Sequence, residues 1–224
     1  GRRYQSVVNA EMPEFLVPAQ PSQTRIMTEY SVLGTQHIWG GIDHLMFVLG
    51  LLLLVGGGAR LLWTITAFTV GHSVTLGLVT LGLLSYPVSL VEFAIALSIF
   101  VLALDLVRSP QVGSNQHLSL FKRHPWWLAG GFGLLHGMGF AGALADIGLP
   151  QSNVPLALLF FNIGIEAGQI AFLLLLLAGW WLFKQALAMS AVTVNRTRLV
   201  LIPVYLLGGL SAMWCIERGI ALIS

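Results

Sequence analysis

His37, Asp43 and His44 lie in one apolar stretch of this chain. His72 lies in a second, Glu92 in a third and His136 in a fourth, and Asn162, Glu166 and Gln169 lie in a fifth. A charged side chain near the centre of a bilayer costs roughly 2.5–3.5 kcal/mol even on the lenient insertion scale. Polar groups in such segments therefore face a bundle interior and mark an ion path, a proton relay or a metal site. Imidazole with carboxylate is ligand chemistry for Zn, Ni, Co or Fe, whereas Cu(I) prefers thiolate and thioether. Met46 and Met138 stand close to the histidines, which keeps copper as a weaker alternative.

The elements that carry these residues must be membrane helices. Of 224 residues, 56% are hydrophobic and only 9% charged, against about 25% charged in a soluble domain. The mean hydropathy is +0.84. The apolar runs are continuous rather than alternating, which selects helices over a barrel. Six segments are long enough to span: 35–57, 61–84, 88–108, 126–147, 154–183 and 199–220. Residues 1–34, with Pro13, Pro18 and Pro21, read as an extracytoplasmic linker. With Gly1 at the start and no initiating Met, this linker is expected to be the tail of a missing upstream domain. The single cysteine, Cys215, excludes an intrachain disulfide and any Cys-based metal cluster.

Orientation follows from the basic residues near helix ends. Arg60, Arg108, Lys122, Arg123, Lys184, Arg196 and Arg198 fall in the first, third and fifth loops, and the second and fourth loops hold none. The positive-inside rule puts the first set in the cytoplasm and both termini outside. Trp63, Trp126, Trp127, Trp180 and Trp181 fall at inner ends and Trp39 and Trp214 near outer ends, the usual interfacial positions.

A rise of 1.5 Å per residue puts His44, His72, His136 and Glu166 about 13, 16, 15 and 18 Å into the membrane, near the middle of a core of about 30 Å. His37 and Glu92 sit nearer the outer surface. In a continuous helix, His37, Gly40, Gly41 and His44 form one stripe. Thr69, His72 and Ser73 share a face of the second helix, and Asn162, Glu166 and Gln169 one of the fifth. Other polar residues have plainer roles. Asp105 stands one turn from Arg108, Glu217 stands beside Arg218 as an interfacial pair, Asp146 lies at an outer end, and His117 and His124 belong to a cytoplasmic loop. Ser73 reads as a packing hydroxyl, since Ser and Thr routinely bond across membrane helices.

At these residues the chain resembles the HupE/UreJ family of hydrogenase and urease accessory membrane proteins. The stretches that carry the resemblance are HIWGGIDHLMFVLGLLLL (37–54), AFTVGHSVTLGL (67–78), VEFAIALSIF (91–100), GFGLLHGMGFAGAL (131–144) and FFNIGIEAGQIAF (160–172). FLVPAQPS (15–22) resembles the segment joining an extracytoplasmic domain to the membrane part in longer members. The resemblance implies a bacterial inner-membrane protein that handles nickel, and sometimes cobalt. The spacing His37-x5-Asp43-His44 is similar to the H-x4-D-H motif of nickel–cobalt permeases but one residue longer. FTVGHS (68–73) also resembles FNIGIE (161–166), which would relate the second helix to the fifth in an inverted repeat of three helices each.

The expected architecture is an all-α bundle of six transmembrane helices over 35–224. The leading functional expectation is a divalent-cation permease for Ni²⁺, with Co²⁺ or Zn²⁺ as alternatives, rather than an enzyme. His37 and Glu92 would recruit the ion, Asp43, His44, His72, His136 and Glu166 would hold it, and Asn162 and Gln169 would be outer donors. The competing expectation is an intramembrane zinc hydrolase built on the same cluster, with Zn²⁺ and an activated water. A third is a non-transporting accessory subunit. Membrane lipid and the ion are the expected partners, with a homo-oligomer also open, and nucleic acid is not; a link to metalloenzyme maturation is what the resemblance implies.

Overall fold

The computed structural model describes residues 22–108, 120–147, 153–189 and 196–223, and these form helices joined by short connections. The helices are α1 (Gln23–Gly40), α2 (Ile42–Val55), α3 (Ala59–Thr80), α4 (Val88–Arg108), the single turn α5 (Leu120–Arg123), α6 (Pro125–Ile147), α7 (Val154–Met189) and α8 (Arg196–Ile223). Four are long and apolar enough to cross a membrane: Ala59–Thr80, Val88–Arg108, Val154–Met189 and Leu201–Ile223. The pair α1 and α2 makes a fifth if counted as one bent span. The remaining expected segment, 126–147, is helical as α6.

Two expectations change at the start of the chain. Most of the expected linker, and the FLVPAQPS stretch up to residue 21, lie outside the described residues, as does His117; of the described end, 23–34 is already helical. Ser22 caps α1 by accepting from Arg25 N at 3.2 Å, which satisfies one of the free amides of the first turn. The first apolar segment is also not one helix. It breaks at Gly41 (φ −89°, ψ 97°), and α2 leaves at 77° to α1. Adjacent glycines weaken a helix at the point where it must bend. The stripe expected from a continuous helix therefore does not exist.

The α2–α3 turn passes through Gly56 (φ 80°) and Gly58 (φ 88°), a left-handed backbone that other residues rarely adopt. Arg60, just after it, donates to the carbonyls of Lys122 and Arg123, so two basic connections lie at the same end of the bundle.

Glycine faces bring the helices together. On α3 and α6, a methyl group at Gly71 would strike Gly130 O, one at Gly133 would strike Phe68 O, and one at Gly137 would strike His72 O. On α1 and α7, a methyl group at Gly34 would strike Phe161 O and one at Gly164 would strike Ser31 O. Ser31 with Gly164, Thr35 with Gly168 and Trp39 with Phe172 advance together along α1 and α7, as Phe68 with Gly133 and His72 with Gly137 do along α3 and α6, so each pair runs parallel. The Phe-x-x-Gly of FTVGHS and that of FNIGIE thus make the same interlock with their partner helices. The pair α4 and α8 runs the other way, with Ala103 against Gly208 and Phe93 against Gly219.

Two apolar clusters result. One gathers Phe47, Val48, Leu51, Ile65, Phe68, Ile99 and Leu102; the other gathers Ile26, Tyr30, Ile38, Leu76, Phe161 and Ile165. The outer surface is apolar too: Val70, Leu174, Leu182, Tyr205, Ile216 and Ile220 are all more than half exposed. An apolar exterior around a core that buries histidines is what a lipid-solvated bundle requires.

Candidate metal centre

The break at Gly41 builds the site. In a continuous helix, residues seven apart lie about 10 Å apart along the axis. With the bend, the rings of His37 and His44 come to 4.5 Å between centroids. His72, from α3, lies 5.9 Å from His37 and 6.2 Å from His44 on the same measure. Each of the three imidazoles offers one nitrogen such that the three atoms lie within 4.8 Å of one another. Nitrogens bound tetrahedrally at about 2.05 Å from a metal would be about 3.4 Å apart. Side-chain rotation of an ångström or so therefore closes the triad on an ion.

Second partners decide which nitrogens face inward. Asp43 stands in the first turn of α2, where the amide dipoles favour a carboxylate. Its Oδ1 accepts from His44 N at 2.9 Å and lies 3.0 Å from His44 Nδ1. A carboxylate only accepts, so Nδ1 carries the proton and His44 Nε2 keeps its lone pair. His136 is set in the same way. Its Nδ1 donates to Phe132 O at 2.8 Å, leaving Nε2 as an acceptor. His44 Nε2, His136 Nε2 and both nitrogens of His72 are buried and have no hydrogen-bond partner among the described residues. Buried polar atoms are ordinarily paired, and unpaired lone pairs in a cluster ask for a cation. A carboxylate or carbonyl on the far ring nitrogen is also the usual way to orient a metal-binding histidine.

His136 completes a second layer. Its ring lies 5.0 Å from that of His44, and Phe47 and Phe68 wall it at 5.5 and 5.2 Å. His37 touches Phe161 at 5.8 Å. The histidines therefore sit on the seam between the two apolar clusters. A cavity of about 310 Å³ opens beside them, lined by His37, Asp43, His44, Glu92, His136 and Arg218 among others.

The remaining expected residues fall in three places. Glu92 is exposed on the cavity rim. Asn162 is buried next to His72, and its Nδ2 donates to Leu158 O at 2.8 Å. Glu166 and Gln169 point at α3 instead of the cavity. Glu166 Oε1 accepts from Thr66 at 2.6 Å and Gln169 Oε1 from Thr69 at 3.1 Å. Ser73 donates to Thr69 O at 2.7 Å, one turn back in its own helix rather than across to a neighbour.

Two residues were not singled out from the sequence. Gly41 was read only as a small neighbour, although two successive glycines between ligand-type residues signal a break. Arg218 was read as the partner of Glu217. It instead donates through Nη1 to Glu92 O at 2.9 Å and brings Nη2 to 4.0 Å from Asp43 Oδ2. Nothing local in the sequence predicts this, because α8 and α2 are far apart in the chain.

A family model described as HupE / UreJ protein matches residues 14–218. No curated protein and no solved structure matches the chain.

Proposed function

The chain belongs to the HupE/UreJ family, and we propose that it is a permease for a divalent transition-metal ion, Ni²⁺ first and Co²⁺ next. The family is associated with nickel and cobalt uptake. The observation that carries the reading is the triad His37, His44 and His72, gathered at a broken helix with unpaired lone pairs on His44 and His72. Broken helices that place ion-binding groups inside the bilayer are a recurrent transporter device. Imidazoles suit Ni²⁺ and Co²⁺ better than Mg²⁺ or Ca²⁺.

In this reading Glu92 attracts the ion at the rim, the triad strips its water, and His136 takes it up from His44 as a further ligand. Asp43 orients His44, and Asn162, whose Nδ2 is engaged with Leu158 O, has its Oδ1 left as an acceptor beside His72. Ligand imidazoles are neutral, so binding releases protons and weakens as pH falls. The membrane is the bacterial inner membrane. The span count is six, with α1–α2 and α6 each taken as one, and both termini are extracytoplasmic. The basic connections gathered around Arg60 support this orientation. The matching interlocks of α3 with α6 and of α7 with α1 support an inverted three-helix repeat. In that repeat His37 and His136 occupy equivalent places.

The test is uptake into vesicles that hold the purified protein and an internal Ni²⁺-sensitive dye. The parent protein should fill them, and His44→Ala should not. Three imidazoles with an open side also resemble a hydrolytic zinc site. A protein that moves no ion but cleaves lipid or peptide in a zinc-dependent way would replace the permease by that enzyme. Orientation is tested by labelling Asn115→Cys in a Cys215→Ser background. Labelling from outside intact cells would overturn it.

A further inference from the structure

The geometry points to Arg218 as the residue that keeps the metal centre selective, by holding the Asp43 carboxylate away from the ion. This deepens the proposed function, since it rests on metal binding at the histidine triad.

The two oxygens of Asp43 are divided between two partners. Oδ1 serves the ring and the backbone N–H of His44. Oδ2 faces the Arg218 guanidinium at 4.0 Å. Arg218 is itself held by two contacts and borders the cavity. Nη1 donates to Glu92 O at 2.9 Å, the guanidinium lies 6.0 Å from the centroid of Trp214, and the head group lines the cavity beside His37, His44 and His136. Nη2 alone reaches Asp43, at ion-pair distance, while Nη1 is engaged with Glu92 O, so the guanidinium acts on the carboxylate as a fixed charge.

The consequence concerns which atoms an arriving ion meets. With Asp43 engaged on both sides, the nearest donors are imidazole nitrogens. Imidazole favours Ni²⁺, Co²⁺ and Zn²⁺, whereas carboxylate oxygens favour Mg²⁺ and Mn²⁺. Without Arg218, Oδ2 is a bare carboxylate oxygen beside the triad and can turn onto the ion. The centre then changes from nitrogen donors only to nitrogen plus a hard oxygen. Removing a positive charge also strengthens the pull on every dication, but equally for ions of the same charge. That electrostatic part cancels in a ratio of affinities, and the change of donor does not. Arg218 is thus a positioning residue, and the selectivity ratio is the quantity that reports it.

The test measures Ni²⁺ and Mn²⁺ dissociation constants of the purified full chain in lipid nanodiscs, for the parent and its variants. Arg218→Gln should lower the Ni²⁺/Mn²⁺ selectivity by about 10-fold, the lower end of what losing an outer-shell partner costs, mainly through tighter Mn²⁺. Arg218→Met keeps an unbranched apolar side chain without the charge and carries the same expectation should the Gln variant fail to fold. Adding Asp43→Asn to either should restore the parent's ratio, since no carboxylate is left to release. The Co²⁺ absorption spectrum should shift in the single variant and return in the double. A parent that binds Ni²⁺ but whose ratio is unchanged in folded Arg218→Gln or Arg218→Met overturns this inference alone. So does a ratio that falls equally with and without Asp43. A parent that binds neither ion overturns the triad and this inference with it.

Discussion

The bundle buries two polar clusters with opposite chemistry. One is the histidine group at the Gly41 break; the other joins α3 to α7 through Thr66–Glu166 and Thr69–Gln169. Both come from ligand-type residues in apolar helices, and from composition alone they look alike. In the second, each of Glu166 and Gln169 has a hydroxyl partner at 2.6 and 3.1 Å. It is helix–helix glue, of the kind worth about 0.6 kcal/mol per bond in a membrane. In the first, imidazole lone pairs stay unpaired, and a cavity of about 310 Å³ opens beside them. A polar residue in a membrane helix is therefore weak evidence of a site. Unused donor capacity beside an opening is stronger evidence.

The comparison can be broken from either side. His44→Ala removes the imidazole that stands between His37 and His136. It should reduce Ni²⁺ binding by more than the roughly 10–100-fold that losing an orienting partner costs, while calorimetry shows a folded protein. A smaller loss would move the ion elsewhere. Gly41→Ala comes next. The new methyl group would lie 2.6 Å from His44 Nδ1 and 3.0 Å from Asp43 Oδ1. The backbone there has φ −89°, which any residue accepts, and the tightest contacts are with the site side chains, with His37 O next at 3.2 Å, so the clash falls mainly on the site. We expect binding to weaken by about 10-fold, in the range for a disturbed orienting partner; parent-like affinity would mean that His44 is not a ligand.

The other cluster should respond on a different scale. In Glu166→Gln the amide oxygen still accepts from Thr66. Vesicle uptake should change by less than about threefold, an effect no larger than one such bond, and its decline at low pH should remain. A large loss would return Glu166 to the ion path. The smallest effect on function is expected for Thr69→Val. It strands Gln169 and should lower thermal stability by about 0.6–1.7 kcal/mol, with no change in Ni²⁺ affinity by titration.

Much of the bundle was legible in advance because hydrophobic length is a local property. The expected limits 88–108 and 126–147 fall on α4 and α6, and the start at 154 falls on α7. The expected residues His37, Asp43, His44 and His136 do meet around one cavity, with Glu92 on its rim and His72 completing the triad. The start of α1 was missed because Gln23–Gly34 is too polar to read as a span, yet its face carrying Ile26, Tyr30 and Gly34 packs on α7. That Glu166 and Gln169, expected at the ion, also meet Thr66 and Thr69 was not legible, because a shared helix face says nothing about which neighbour that face meets.

The sequence by itself determined that the chain is a membrane bundle, which residues are costly enough to need a purpose there, and that imidazole is the chemistry on offer. Composition and apolar run length suffice for that, since the bilayer charges each residue by type. Only the tertiary structure decided which of those residues are already satisfied. The turn of Arg218 toward Asp43 and the pairing of Glu166 with Thr66 each depend on helices far apart in the chain. Hydrogen-bond capacity is spent between neighbours in space, and those neighbours exist only once the glycine faces have locked the helices together.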